Sequence, residues 1–144
     1  MGIGFVVNDV MTEEKGYTTL ANEADDLSIG RGFDLFVSNC SGCHLVGDGG
    51  GAAPDLSRSN EGIFAIYPQI ILEGALASQG MPRFGHILNE QDVADIKGYV
   101  LDAAEQFRAG ATPTDLEYLT RMATLQYAAD QAKAAAAGQS AEEQ

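Results

Sequence analysis

At 144 residues the chain is long enough for one domain with a core of its own and too short for two ordinary ones, and its 45% hydrophobic and 20% charged residues describe a globular protein. A net charge of −13, with only eight basic residues scattered from Lys15 to Lys133, argues against nucleic acid and anionic membranes as partners, because phosphate contacts need clustered Lys and Arg. No apolar run approaches the roughly 18 residues needed to span a bilayer, so no membrane span is expected.

Residues 1–26 mix Gly, Thr and acids around a short apolar patch at Ile3, Phe5, Val6 and Val7 and read as an extended arm. The opening "MGIGFVVNDV" lacks a cationic flank and is not an intact secretory signal peptide, so a leader, if the chain is exported, is expected to lie outside this sequence. From Asp26 or Ser28 as N-cap, a helical pattern runs through Ile29, Phe33, Phe36 and Val37 to Cys40. Gly30 and Gly32 lie inside it at a cost of about 1 kcal/mol each relative to Ala, which demands that something approach them closely.

Residues 46–62, "VGDGGGAAPDLSRSNEG", read as a loop, since three consecutive glycines and a proline sustain neither helix nor sheet. A short helix follows, with Pro68 in its first turn, Ile70, Ile71 and Leu72 on its apolar side and Gly74 to end it. A second loop, "ALASQGMPRFGHI", leads to a helix capped by Asn89, with Glu90 and Asp92 in its first turn and Val93, Ile96, Val100 and Leu101 at helical spacing, ending near Gly110. Thr112 as N-cap, Pro113 and Asp115 start a last helix, 113–137, whose Tyr118, Met122, Leu125, Ala129 and Ala132 follow the 4-3-4-3 spacing of a narrow packing seam. That seam either packs on the chain's own domain or makes an interface, a homodimer or a docked partner. No sustained period-two alternation marks a strand, so the predicted fold is all-α, divided into an arm (1–26), a core domain (27–110) and a C-terminal helical extension and tail (111–144).

All the thiols and half the histidines stand in "CSGCH", residues 40–44. A Cys40–Cys43 disulfide would close a tiny loop and stabilise little. A thioredoxin-type dithiol expects a preceding strand that this chain lacks. Zinc could recruit Cys40, Cys43, His44 and His86, although adjacent helical side chains such as Cys43 and His44 diverge. The fourth chemistry is covalent haem: C-x-x-C-H is the c-type attachment signature, in which two thiols each form a thioether to one vinyl group of a porphyrin and the next imidazole ligates the iron.

Residues 31 to about 107 resemble a class I cytochrome c domain. Gly32 and Phe36 match the family's glycine and aromatic eight and four residues before the first cysteine, and Ile96 and Tyr99 match the pair on the helix that crosses at that glycine. The resemblance implies haem c held at Cys40 and Cys43, with His44 as one axial ligand and Met81 in "GMPRF" as the other. His86 is the competing sixth ligand, otherwise a surface residue. Pro54 resembles the proline whose carbonyl holds the proximal histidine's Nδ1–H. One of Arg58 and Arg83 pairs with a haem propionate or stays solvated, and Tyr67 lines the crevice or the core.

"APDLSRS" and "IILEGALASQGMPRFGHILNEQDVADIKGYV" are similar to the haem domain of quinohaemoprotein alcohol dehydrogenases, although these residues contain no PQQ-binding propeller. The resemblance implies a monohaem, one-electron carrier between periplasmic redox partners, drawing on a quinoprotein dehydrogenase and feeding a terminal oxidase or another cytochrome. No nucleophile or general base stands out, so the chain is expected to be an electron-transfer protein, a free carrier or the haem domain of a larger oxidoreductase, and not an enzyme by itself. The rival readings are a gas- or peroxide-binding haem with an open sixth position, which Met81 opposes, and a zinc-bound interaction module.

Overall fold

The computed structural model describes residues 25–44, Gly47 and residues 53–143, with side chains as far as Gly138; residues 1–24 of the expected N-terminal arm and the glycine run 49–51 lie outside the described residues, while the arm's last two residues, Asp25 and Asp26, start α1. Among the described residues every regular element is helical, as the sequence predicts: α1 (Asp26–Asn39), α2 (Glu61–Ala65), α3 (Tyr67–Ile71), α4 (Glu90–Arg108) and α5 (Leu116–Glu143), with 3-10 turns at Leu56–Arg58 and Ala77–Gln79.

Helix α1 packs against both α4 and α5, and its two glycines are the crossing points. A Cβ on Gly32 would run into the backbone carbonyl of Asp95 and sit 3.0 Å from the Tyr99 Cβ, so α4 crosses α1 at backbone contact, beside the buried Ile96 and Tyr99. A Cβ on Gly30 would run into the backbone carbonyl of Leu125, so α5 makes a second crossing two residues away. Each glycine therefore trades helix propensity for the close approach of a different helix. The α5 seam is buried on its own domain: Tyr118, Met122 and Ala129 are inaccessible and Leu125 packs on the core. The face proposed as a homodimer interface is thus already covered within one chain, because Gly30 lets α5 lie close enough to bury it.

Two ion pairs brace these crossings. Asp95 of α4 is buried and accepts from Ser28 Oγ at 2.6 Å, Arg31 Nε at 2.9 Å and Gln91 Nε2 at 3.0 Å. Asp102, also buried, accepts from both terminal nitrogens of Arg121 at 2.6 and 2.9 Å, a two-bond fork between α4 and α5. The acids lie seven residues apart on one face of α4, and each takes a guanidinium from a different neighbour.

Three boundaries differ from expectation. The cap of α1 is Asp25, whose carboxylate accepts from the Ser28 amide at 2.7 Å, rather than Asp26 or Ser28. The loop expected to run to Gly62 stops at Asn60, whose side chain accepts from the Ile63 amide at 2.9 Å and starts α2 despite Gly62 in its first turn. Helix α5 begins at Leu116, not Pro113: Thr112 and Asp115 close on each other, with the Thr112 amide and hydroxyl both donating to the Asp115 carboxylate, while the Asp115 carbonyl accepts from the Leu119 amide at 2.9 Å. The helix also continues through Gly138 to Glu143, past the expected end. Asn89 caps α4 as the sequence predicts, and Asp92 closes a reciprocal capping box with it.

Between α4 and α5 the Tyr99 and Tyr118 hydroxyls lie 3.2 Å apart, both side chains buried. Burial raises both phenols above their ordinary pKa, with the partner tyrosine adding to it at Tyr99, where the effect is large. The folded state therefore keeps protons that the unfolded chain releases near pH 10, so this contribution to stability is complete below about pH 10 and declines as pH rises beyond it. Two tyrosines should stay silent in phenolate absorbance until the protein unfolds in alkali, and Tyr99→Phe should flatten the alkaline loss of stability. Full phenolate formation with the helical circular dichroism intact would contradict the buried pair.

Candidate haem site

The attachment motif is the C-terminal turn of α1. The Cys40 amide donates to the Phe36 carbonyl at 2.8 Å, and the Cys40 carbonyl in turn accepts from Cys43 at 3.1 Å and His44 at 2.9 Å. Ser41 Oγ and Asn39 Nδ2 donate to the carbonyls of Val37 and Leu35, satisfying groups that a helix end leaves open. This tight turn sends Cys40 inward, leaves Cys43 exposed and buries His44. The two cysteines are free thiols and form no disulfide. Burial, aided by Cys43, pushes the Cys40 thiol up to about 11, so the uncharged form persists there.

The His44 Nδ1 lies 2.8 Å from the Pro54 carbonyl oxygen. That oxygen can only accept, so Nδ1 carries a proton, which in the neutral ring leaves the lone pair on Nε2, the tautomer a metal requires. The loop around this bond is closed on both sides: the Ala53 amide donates to the Cys43 carbonyl at 3.0 Å, and the Gly47 amide to Asp55 Oδ1 at 2.9 Å.

Met81 is half-buried against the core, in a loop held at several points. Its amide donates to the Leu76 carbonyl at 3.2 Å, and the Phe84 amide to the Ile71 carbonyl at 2.7 Å. Gly80 has φ +102°, which lets the chain reverse just before Met81, and Gly85 lies where a Cβ would meet the Leu72 carbonyl. The apolar cluster joins the two segments: Phe36, Cys40, Tyr67, Ile70 and Ile71 are buried in it, and Leu72, Met81 and Phe84 pack at its edge.

Of the alternative ligands, His86 is exposed, as is Arg83, and Arg58 is largely solvated, its Nε 3.8 Å from Asp55. Among the described residues no group of three or more His, Cys, Asp or Glu side chains converges, so the zinc set Cys40, Cys43, His44 and His86 is not assembled. One imidazole with a free Nε2, one thioether and two thiols in an apolar setting is a donor set suited to a tethered iron porphyrin. The residue that sequence reasoning missed is Asp55, buried directly after Pro54; the signal was an acid two positions before Ser57, the spacing of an Asx turn.

Residues 28–100 match the sequence profile of the family described as cytochrome C oxidase, cbb3-type, subunit III. Together with the all-helical fold and the crossing at Gly32, this defines a class I c-type cytochrome, a family of electron carriers. The chain belongs to the cytochrome C oxidase, cbb3-type, subunit III family. It is 41% identical over 71 residues to the quinohemoprotein alcohol dehydrogenase ADH IIB of Pseudomonas putida, and 36% identical over 86 residues to the 1-butanol dehydrogenase (cytochrome c) of Thauera butanivorans. These alignments take in 49% and 58% of this chain but only 10% and 12% of the dehydrogenases. Cytochrome c6 of Thermostichus vulcanus is 28% identical over 98 residues, covering 65% of this chain and 87% of its own length. No solved structure gives a significant match.

Proposed function

We propose that residues 27–110 carry one haem c, bound by thioethers at Cys40 and Cys43 with His44 and Met81 as axial ligands, and that the chain passes single electrons between periplasmic redox proteins. The observation that carries this reading is the His44 Nδ1 to Pro54 contact of 2.8 Å, which fixes the imidazole with Nε2 available directly behind the two thiols. When bound, the haem supplies an iron that cycles between two oxidation states. The residues of this chain do the rest. Pro54 orients His44, the pinned 72–88 loop presents the Met81 thioether, and the apolar cluster keeps water from the centre. A thioether ligand and a dry pocket favour the reduced state and a filled coordination shell suppresses oxygen chemistry. The similarity to haem domains of quinohaemoprotein dehydrogenases supports a quinoprotein as donor, with an oxidase or another cytochrome as acceptor.

Protein produced with periplasmic export should have an intact mass exceeding the apoprotein by one haem after denaturation in acid. The reduced wild type should not bind CO, whereas reduced Met81→Ala should. A haem that extracts into organic solvent refutes the tethering, and ready CO binding by the wild type refutes Met81 and favours the gas-binding alternative.

A further inference from the structure

Asp55 is buried beside the His44 loop, where an unassisted carboxylate is costly, and its hydrogen bonds show what it holds. A single oxygen, Oδ1, accepts from the Gly47 amide at 2.9 Å, the Ser57 amide at 2.9 Å and the Ser57 hydroxyl at 2.7 Å. Gly47 lies three residues after His44, and Ser57 three residues after Pro54. The same atom therefore ties the strand of chain leaving the histidine to the strand of chain leaving its acceptor. Between those ties lies the His44 to Pro54 bond, and on its other side the Ala53 to Cys43 bond at 3.0 Å. Pro54 offers no N–H to anchor the preceding peptide, and its carbonyl shares a peptide plane with the nitrogen of Asp55. The direction of its carbonyl is set by its two neighbours, Ala53 through Cys43 and Asp55 through Gly47. Gly47 is held to glycine at this point, because its φ is +83° and a Cβ there would strike the Phe107 ring.

We propose that Asp55 is a positioning residue for the axial histidine: through Oδ1 it holds the Pro54 carbonyl on His44 Nδ1 and so keeps the imidazole's proton, orientation and donor strength fixed. The proposal rests on the reading of His44 as an iron ligand. Its mechanism is geometric, and charge offers a competing account, since a buried carboxylate near the centre favours the oxidised iron wherever its oxygens point. Two substitutions part these accounts. Asp55→Asn retains an Oδ1 acceptor and removes the charge; Asp55→Glu retains the charge and moves the oxygens outward by one methylene.

The experiment is NMR of histidine-labelled holoprotein, following solvent exchange of the His44 Nδ1–H, alongside the midpoint potential. In Asp55→Glu exchange should accelerate about tenfold or more, the scale at which outer partners of metal ligands act, and the potential should rise as the imidazole becomes a weaker donor. In Asp55→Asn exchange should stay within about threefold of wild type. Protected Nδ1–H in Asp55→Glu, or equally fast exchange in both variants, overturns the proposal. If Asp55→Glu fails to accumulate as holoprotein, Ser57→Ala, which removes one donor from Oδ1, should show a smaller acceleration in the same measurement, and no acceleration overturns the proposal. A wild-type ferric spectrum without a paramagnetically shifted His44 ring overturns the ligand assignment itself, an outcome distinct from both.

Discussion

Truncation after Gly110 should remove most of the folding stability while lowering the mass in solution by no more than the deleted segment. The loss is large because α5 covers the domain instead of trailing from it. Tyr118, Met122 and Leu125 would no longer contribute their burial, about 1.5–3 kcal/mol for each large apolar side chain. Asp102 would lose its Arg121 partner as well, although the same truncation exposes it to water and so softens that loss. The sum rivals the roughly 5–15 kcal/mol that holds a typical domain together. At roughly 2–4 °C per kcal/mol for a chain near 150 residues, the melting temperature should fall by about 10 °C or more, or the transition should disappear. Calorimetry with light scattering checks this. A dimer turning into a monomer would instead identify the seam as an interface between copies, and an unchanged melting temperature would make α5 a dispensable tail.

Gly32→Ala should also be strongly damaging although it adds a single methyl. Its Cβ would meet the Asp95 carbonyl, a backbone atom that cannot rotate away, so α1 and α4 must separate. Separation loosens Ile96 and Tyr99, which pack at the crossing, and the Arg31–Asp95 pair. Overpacking of side chains costs about 1–3 kcal/mol, and an obstruction by backbone belongs at or above the top of that range. Gly30→Ala should behave alike through Leu125. Gly138→Ala is the control: it lies within α5 with nothing near its Cβ, and should stabilise by about 0.5–1 kcal/mol by helix propensity alone. Urea midpoints of the three variants decide; a neutral Gly32→Ala contradicts the backbone contact.

The motif residues were legible because their chemistry is local in sequence. CSGCH, the Gly32/Phe36 spacing and the Asn89 N-cap each lie within a few turns of chain, and the two glycines announced a close approach before any partner was known. What answered Gly30 was not legible, since Leu125 stands 95 residues away and no local pattern joins them. Asp95 and Asp102 were hidden for the opposite reason. They look like ordinary helix-surface acids, and only the placement of Arg31 and Arg121 on neighbouring helices makes burial affordable for them. Asp55 was read as part of a loop because its partners, Gly47 and Ser57, lie on both sides of a glycine-rich segment. The late start of α5 was misjudged because Thr112 and Asp115 fit a capping box but satisfy each other in a turn.

The double crossing of α1 also fixes an order of events in time. Gly30 and Gly32 are made early and their partners, Leu125 and Asp95, come 95 and 63 residues later, so the first helix leaves the ribosome with nothing to close on it. Until α4 and α5 arrive, the turn at its end is open to reagents. Closure then withdraws Cys40 into the interior. The thioether proposed at Cys40 would therefore have to form before these helices dock.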